Sequence, residues 1–162
     1  MTNIIGKTLV FIVAAAAAVA TAGCGDTKRT AYSRFEKIPG EGWRPDDVVA
    51  FEPWPLDSLE VAGNTYTMQL VLRYSSRCRL ERLPAAVTVE DADRTLRTDT
   101  LVIGPGGDGS VSVREKYGVR EVTAVLDPRV SLTDGYAVSV SPLLDPARTA
   151  GLLSVGIRLL RN

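Results

Sequence analysis

The chain of 162 residues contains no histidine. Imidazole is the commonest general base and the commonest metal ligand near neutral pH. Its absence excludes Ser-His-Asp and Cys-His catalysis, together with His-ligated zinc and haem. Cysteine is scarce: Cys24 and Cys78 are the two in the chain, too few for a four-thiolate zinc or iron–sulfur site. There is no excess of either charge, since 19 Lys+Arg stand against 19 Asp+Glu. A nucleic-acid binder needs clustered cations to displace counterions, so that class is set aside. Expected from these absences are no catalytic residue, no metal and no cofactor, and no residue pattern identifies a ligand.

The one long apolar run is itself short. Leu9 to Ala20 reads LVFIVAAAAAVA, twelve residues, which as a helix rise about 18 Å against the ~30 Å hydrocarbon core of a bilayer. One Lys and no acid precede it, and the small residues Thr21, Ala22 and Gly23 follow, ahead of Cys24. A basic start, a brief apolar core and small residues at the end form a secretory signal. Ala22-Gly23-Cys24 resembles the lipobox of bacterial lipoproteins, with Thr21 where Leu is usual. The resemblance implies cleavage before Cys24 and acylation of its thiol, palmitate being a typical chain. A single acyl chain holds a protein only marginally, so stable anchoring takes more than one. A disulfide between Cys24 and Cys78 is the competing use of the two thiols. If Cys24 is acylated, Cys78 stands alone in an RCRLER stretch, where a strand residue is expected rather than a nucleophile. The expected organisation is a signal peptide over 1–23, a polar tether over 24–31 and one domain over 32–162.

What is present after the tether is mostly period-two patterning. Tyr32 to Trp43 (YSRFEKIPGEGW) ends in Pro39-Gly40 and Gly42, and predicts an extended strap pinned by aromatic residues. Asp47 to Trp54 predicts a strand halted by Pro53 and Pro55. In Asn64 to Tyr74, Tyr66, Met68, Leu70, Leu72 and Tyr74 share one face and Thr67, Gln69 and Arg73 the other, with Val71 the exception. Further strands are predicted over 84–90, 94–103, 110–113, 118–126 and 152–160, and one after the Asp134-Gly135 turn, where Tyr136, Val138 and Val140 share a face. In the last strand Leu153, Val155, Ile157 and Leu159 fall on one face, and Gly156 marks a bulge or a close backbone approach. About eight short strands with turn signals between them predict an all-β fold, a single antiparallel jelly-roll-like β-sandwich.

Candidate chemistry is thin. Gly104 to Gly109 (GPGGDG) lacks the Lys and the following helix of a phosphate-binding loop, and predicts a flexible hairpin instead. Glu90, Asp91, Asp93 and Asp99 could crowd oxygen ligands around Ca²⁺, but their spacing fits a solvated acidic loop better. Trp43, Trp54, Tyr32 and Tyr117 could form a sugar-binding platform, although large aromatics mostly serve as core or strap anchors.

Two ends of the chain resemble the gliding motility-associated lipoprotein family GldH of Bacteroidetes. Cys24 is followed by Tyr32, Phe35, Ile38-Pro39 and Gly42-Trp43 ahead of a strand ending near Phe51. Ser154-Val155-Gly156-Ile157-Arg158-Leu159 is similar to the family's D-V-G-(I/L)-(K/R)-(I/L) ending, with Ser154 in place of Asp, and Asp99-Thr100-Leu101 resembles a D-T-L in its middle. The resemblance implies a non-catalytic lipoprotein anchored in the outer membrane, an accessory component of gliding or secretion machinery with envelope protein partners. It supplies no catalytic residues. A glycan-binding surface lipoprotein is the alternative expectation.

Overall fold

The computed structural model describes residues 30–162 except 61, 77, 93 and 105–110. The predicted signal peptide, Cys24 and nearly all of the tether lie outside the described residues.

Among the described residues nine strands make two antiparallel sheets. In chain order they are β1 (Thr30–Lys37), β2 (Val49–Phe51), β3 (Tyr66–Ser75), β4 (Leu83–Asp91), β5 (Arg94–Ile103), β6 (Val111–Lys116), β7 (Val119–Val130), β8 (Tyr136–Pro142) and β9 (Leu152–Arg161). Two single-turn helices, α1 (Leu56–Leu59) and α2 (Pro146–Thr149), sit in connections. The five-stranded sheet has the order β1-β9-β3-β7-β6 and the four-stranded sheet β2-β8-β4-β5. Without β6, these are the two interleaved four-strand sheets of a jelly roll. The expected all-β sandwich is therefore the observed fold, with β6 added at one edge through its hairpin with β7.

Alternation sets what faces inward. On β3, Tyr66, Met68, Leu70, Leu72 and Tyr74 all enter the core between the sheets, and Val122, Ala124 and Leu126 of β7 join them. Tyr136, Val138 and Val140 of β8 meet them from the other sheet. Val71 is also fully buried, although it points outward. Its register row, Phe35↔Gly156↔Val71, explains this. A Cβ built on Gly156 would fall 2.3 Å from Phe35 Cδ1, so the Phe35 ring occupies the space that a side chain on Gly156 would need. The Arg73 guanidinium caps that ring at 3.7 Å. Gly156 is thus a close-approach glycine.

Three expectations are revised. The strap over 32–43 is in large part a full strand: β1 begins at Thr30, inside the predicted tether, and pairs with β9 from Thr30↔Leu160 to Lys37↔Ser154. Only its end, from Ile38 to Trp43, crosses as a strap. There the Trp43 ring is fully buried and its Nε1–H donates to Asp47 O at 2.7 Å, while its backbone N–H donates to Thr149 Oγ1 at 2.7 Å. The strand predicted over 47–54 shrinks to Val49–Phe51, as the prolines that follow dictate. Leu153 does not share the core face of β9: it is 40% exposed and Leu152 is buried in its stead. The register jumps from Arg73↔Ser154 to Tyr74↔Leu152, so Leu153 is the extra residue of a bulge and parity reverses there.

The strands run between two distinct ends of the sandwich. One carries Thr30, Tyr66, Val130 and Arg161, and the other Lys37, Ser75, Val119 and Leu152. Along β1 these ends are about 23 Å apart at 3.3 Å per residue.

Candidate functional site

The far end, opposite Thr30, holds a broad concavity. The described residues of the β3–β4 connection, 76 and 78–82, are fixed there by short-range and long-range bonds. Cys78 N–H donates to Ser75 O at 2.8 Å, Ser76 N–H to Gly118 O at 2.8 Å, and Ser75 N–H to Gly151 O at 2.9 Å. Gly104, at φ +146°, lets Glu81 approach so closely that a Cβ at 104 would sit 2.0 Å from Glu81 O. The Leu80 side chain turns into the core and holds the loop down. Between this loop and the α2 segment lies a groove of 490 Å³, lined by Cys78, Arg79, Leu80, Glu81, Arg82, Ala147, Arg148 and Ala150. Among the described lining residues three guanidiniums stand against one carboxylate. Neither Arg79 nor Arg148 forms an ion pair with an acid among the described residues.

Cys78 belongs to this groove and not to a strand, which corrects the sequence expectation. It carries a free thiol that donates to Ala150 O at 3.3 Å. The same end carries the β6–β7 turn, Tyr117-Gly118. Tyr117 is 90% exposed and has φ +54°, followed by Gly118 at +74°. Two successive positive φ values match the primed turn that suits a two-residue hairpin, in which Asn or Asp ordinarily takes the first place. The Lys116 ammonium lies 4.8 Å from the Tyr117 ring centroid.

A second charged cluster sits on the outer face of the five-stranded sheet. Glu121 on β7 is held by Arg73 Nε of β3 and Arg158 Nη2 of β9, each at 2.9 Å. Burial pushes the Glu121 carboxyl up, but the hydrogen bonds from Arg158 and Arg73 outweigh it and hold the carboxyl below the usual range. These charges satisfy one another across three strands, so the cluster reads as a brace.

The other residues singled out in the sequence do not converge. Trp43 and Trp54 are buried, Trp54 donating to Tyr136 O at 2.6 Å. Tyr32 is half-buried and meets Trp54 edge-on at 5.7 Å. With Tyr117 at the far end, the four aromatics form no shared exposed platform. Of the acidic group, Glu90 bonds Thr95, Asp91 accepts from Thr133, and Asp99 pairs with Arg97, while Asp93 lies outside the described residues. Among the described residues no three of Cys, Asp and Glu come together as metal ligands could. Of the Gly104–Gly109 loop only Gly104 is described, and Val111 after it opens a strand. No protein-family model and no curated protein matches this chain.

Proposed function

We propose that this chain is a non-catalytic lipoprotein, anchored through acylated Cys24 in the outer membrane, whose β-sandwich serves as an accessory binding body in an envelope machine of the gliding or secretion kind. The observation that carries the proposal is the short distance from the anchor to the fold. Five residues, Gly25 to Arg29, separate Cys24 from β1, and the connection reaches about 20 Å at full stretch. A domain so tethered rides beside the bilayer and meets partners there.

The disposition of the aromatic side chains favours this reading over the glycan-binding alternative. Sugar recognition by stacking needs exposed rings on one face. Here Trp43, Trp54, Phe51, Tyr66 and Tyr136 are spent on the core, and Tyr117 is the one largely exposed ring among the described residues. Partner recognition through charge remains open to the far end.

The test is fractionation of cells expressing the wild type and Cys24→Ser. The wild type should remain in the membrane pellet through a high-salt wash and carry an acylated N-terminus by mass spectrometry. The variant should appear in the soluble fraction. Retention of Cys24→Ser in the washed pellet, or an unmodified Cys24, overturns the anchor.

A further inference from the structure

We propose that the groove between residues 78–82 and 147–150 is an oxyanion receptor that takes a phosphate-bearing ligand. Four observations converge on it. First, its volume of 490 Å³ falls within the ~300–1,000 Å³ typical of ligand sites. Second, Arg79, Arg82 and Arg148 line it. The guanidinium fork presents paired N–H donors that match the oxygen spacing of phosphate and carboxylate. Third, Arg79 and Arg148 have no acid partner among the described residues, in contrast to Arg73 and Arg158, which share Glu121. Like charges gathered in a cleft raise the local concentration of anions. Fourth, the loop is not loose: Leu80 is anchored in the core, and contacts with Gly104, Gly118 and Gly151 hold its backbone. A site held by packed elements loses little on binding.

The position of the groove selects the source of the phosphate. It lies at the end of the sandwich opposite Thr30, where the chain departs toward Cys24. On the reading that Cys24 is the anchor, the groove is turned away from the bilayer that holds it. That placement at the end farthest from the tether favours a phosphate group borne on a soluble molecule over the headgroups of that leaflet. Tyr117 and Lys116 stand at the same end, outside the groove lining.

Cys78 provides a built-in reporter, because its thiol lies in the groove wall. The full chain, purified in a non-ionic detergent, would be treated with iodoacetamide, an uncharged alkylating agent, with and without inorganic pyrophosphate. Pyrophosphate should slow alkylation of Cys78 in a saturable way, and calorimetry should return the same affinity. Arg79→Gln with Arg148→Gln should weaken that affinity by about tenfold or more, the scale of two lost charge-assisted bonds. Arg114→Gln, on a different surface, should leave it unchanged. Equal alkylation rates with and without pyrophosphate, or an affinity indifferent to the double substitution, overturn the site.

Two further arms separate this proposal from the anchor. Cys24→Ser should bind pyrophosphate as the wild type does, so a failed anchor leaves the site standing. The acylated chain reconstituted in vesicles containing phosphatidylglycerol, without pyrophosphate, should alkylate as fast as in phosphatidylcholine. Protection by phosphatidylglycerol would instead make the headgroup the ligand and overturn the assignment of a soluble source.

Discussion

At Gly156 a hydrogen atom is all the packing allows. An added methyl would lie 2.3 Å from Phe35 Cδ1 and 2.7 Å from Arg34 O, and the ring itself is held from above by Arg73. Gly156→Ala should therefore destabilise the domain by about 1–3 kcal/mol, the usual cost of forcing extra volume into a packed site. Paired with Phe35→Ala the loss should be clearly less than the sum of the two single losses, because the shared contact is removed once. Strict additivity in urea melts would show that the ring does not depend on that glycine. The period-two pattern suggested a bulge or close approach here and could not choose between them, since either one tolerates glycine. The choice was made by β1, a strand over a hundred residues earlier. The bulge itself falls at Leu153, where no glycine or proline announces it.

Strands were legible wherever a single face carried the apolar set, as in β3, β7 and β8. Edges were harder. The β1 stretch reads as part of a strap from its Pro39-Gly40 and Gly42 ending, yet it is a strand; Tyr32 within it and Ile38 just after it turn toward the core while Phe35 covers the outer face. A strand with apolar residues on both faces loses its alternation. The β6–β7 hairpin carries a further device. Tyr117 holds a left-handed conformation that costs an ordinary side chain about 1–2 kcal/mol, and as it is 90% exposed it recovers little by burial. Backbone strain that the sequence retains at a surface position points to a use for the residue. Tyr117→Asn should raise the stability of the domain by about 0.5–1 kcal/mol, shifting the melting midpoint by roughly 2–4 °C, because Asn suits the first place of a primed turn. A lowered midpoint would mean that the ring contributes packing in solution and that the turn is relaxed.

The molecule as a whole could be read as an all-β sandwich from its periodicity, whereas strand order and groove could not. Both are made by pairing distant segments: the groove joins residues 78–82 to 147–150, and neither stretch is distinctive alone. The same long-range packing sets how stability responds to pH. Tyr74 and Tyr136 lie in the core at different places, and burial pushes each phenol from its ordinary value near 10 up to about 12. A raised pKa in the folded state means that unfolding releases a proton once the pH passes the unfolded value. Their contribution is complete below pH 10 and is lost as the pH rises toward 12. Glu121 acts at the opposite limit with the opposite sign. Its carboxyl is held low by Arg158 and Arg73, so its contribution is present above the ordinary carboxylate range and fades as the pH falls through its folded value. Denaturant unfolding measured across the alkaline range should show a decline beginning near pH 10. Tyr74→Phe and Tyr136→Phe should each flatten that decline, since phenylalanine has no proton to lose, while the acid limb stays as it was. An unaltered alkaline slope in the double variant would show that other groups drive alkaline unfolding and that these two phenols do not ionise on unfolding in that range.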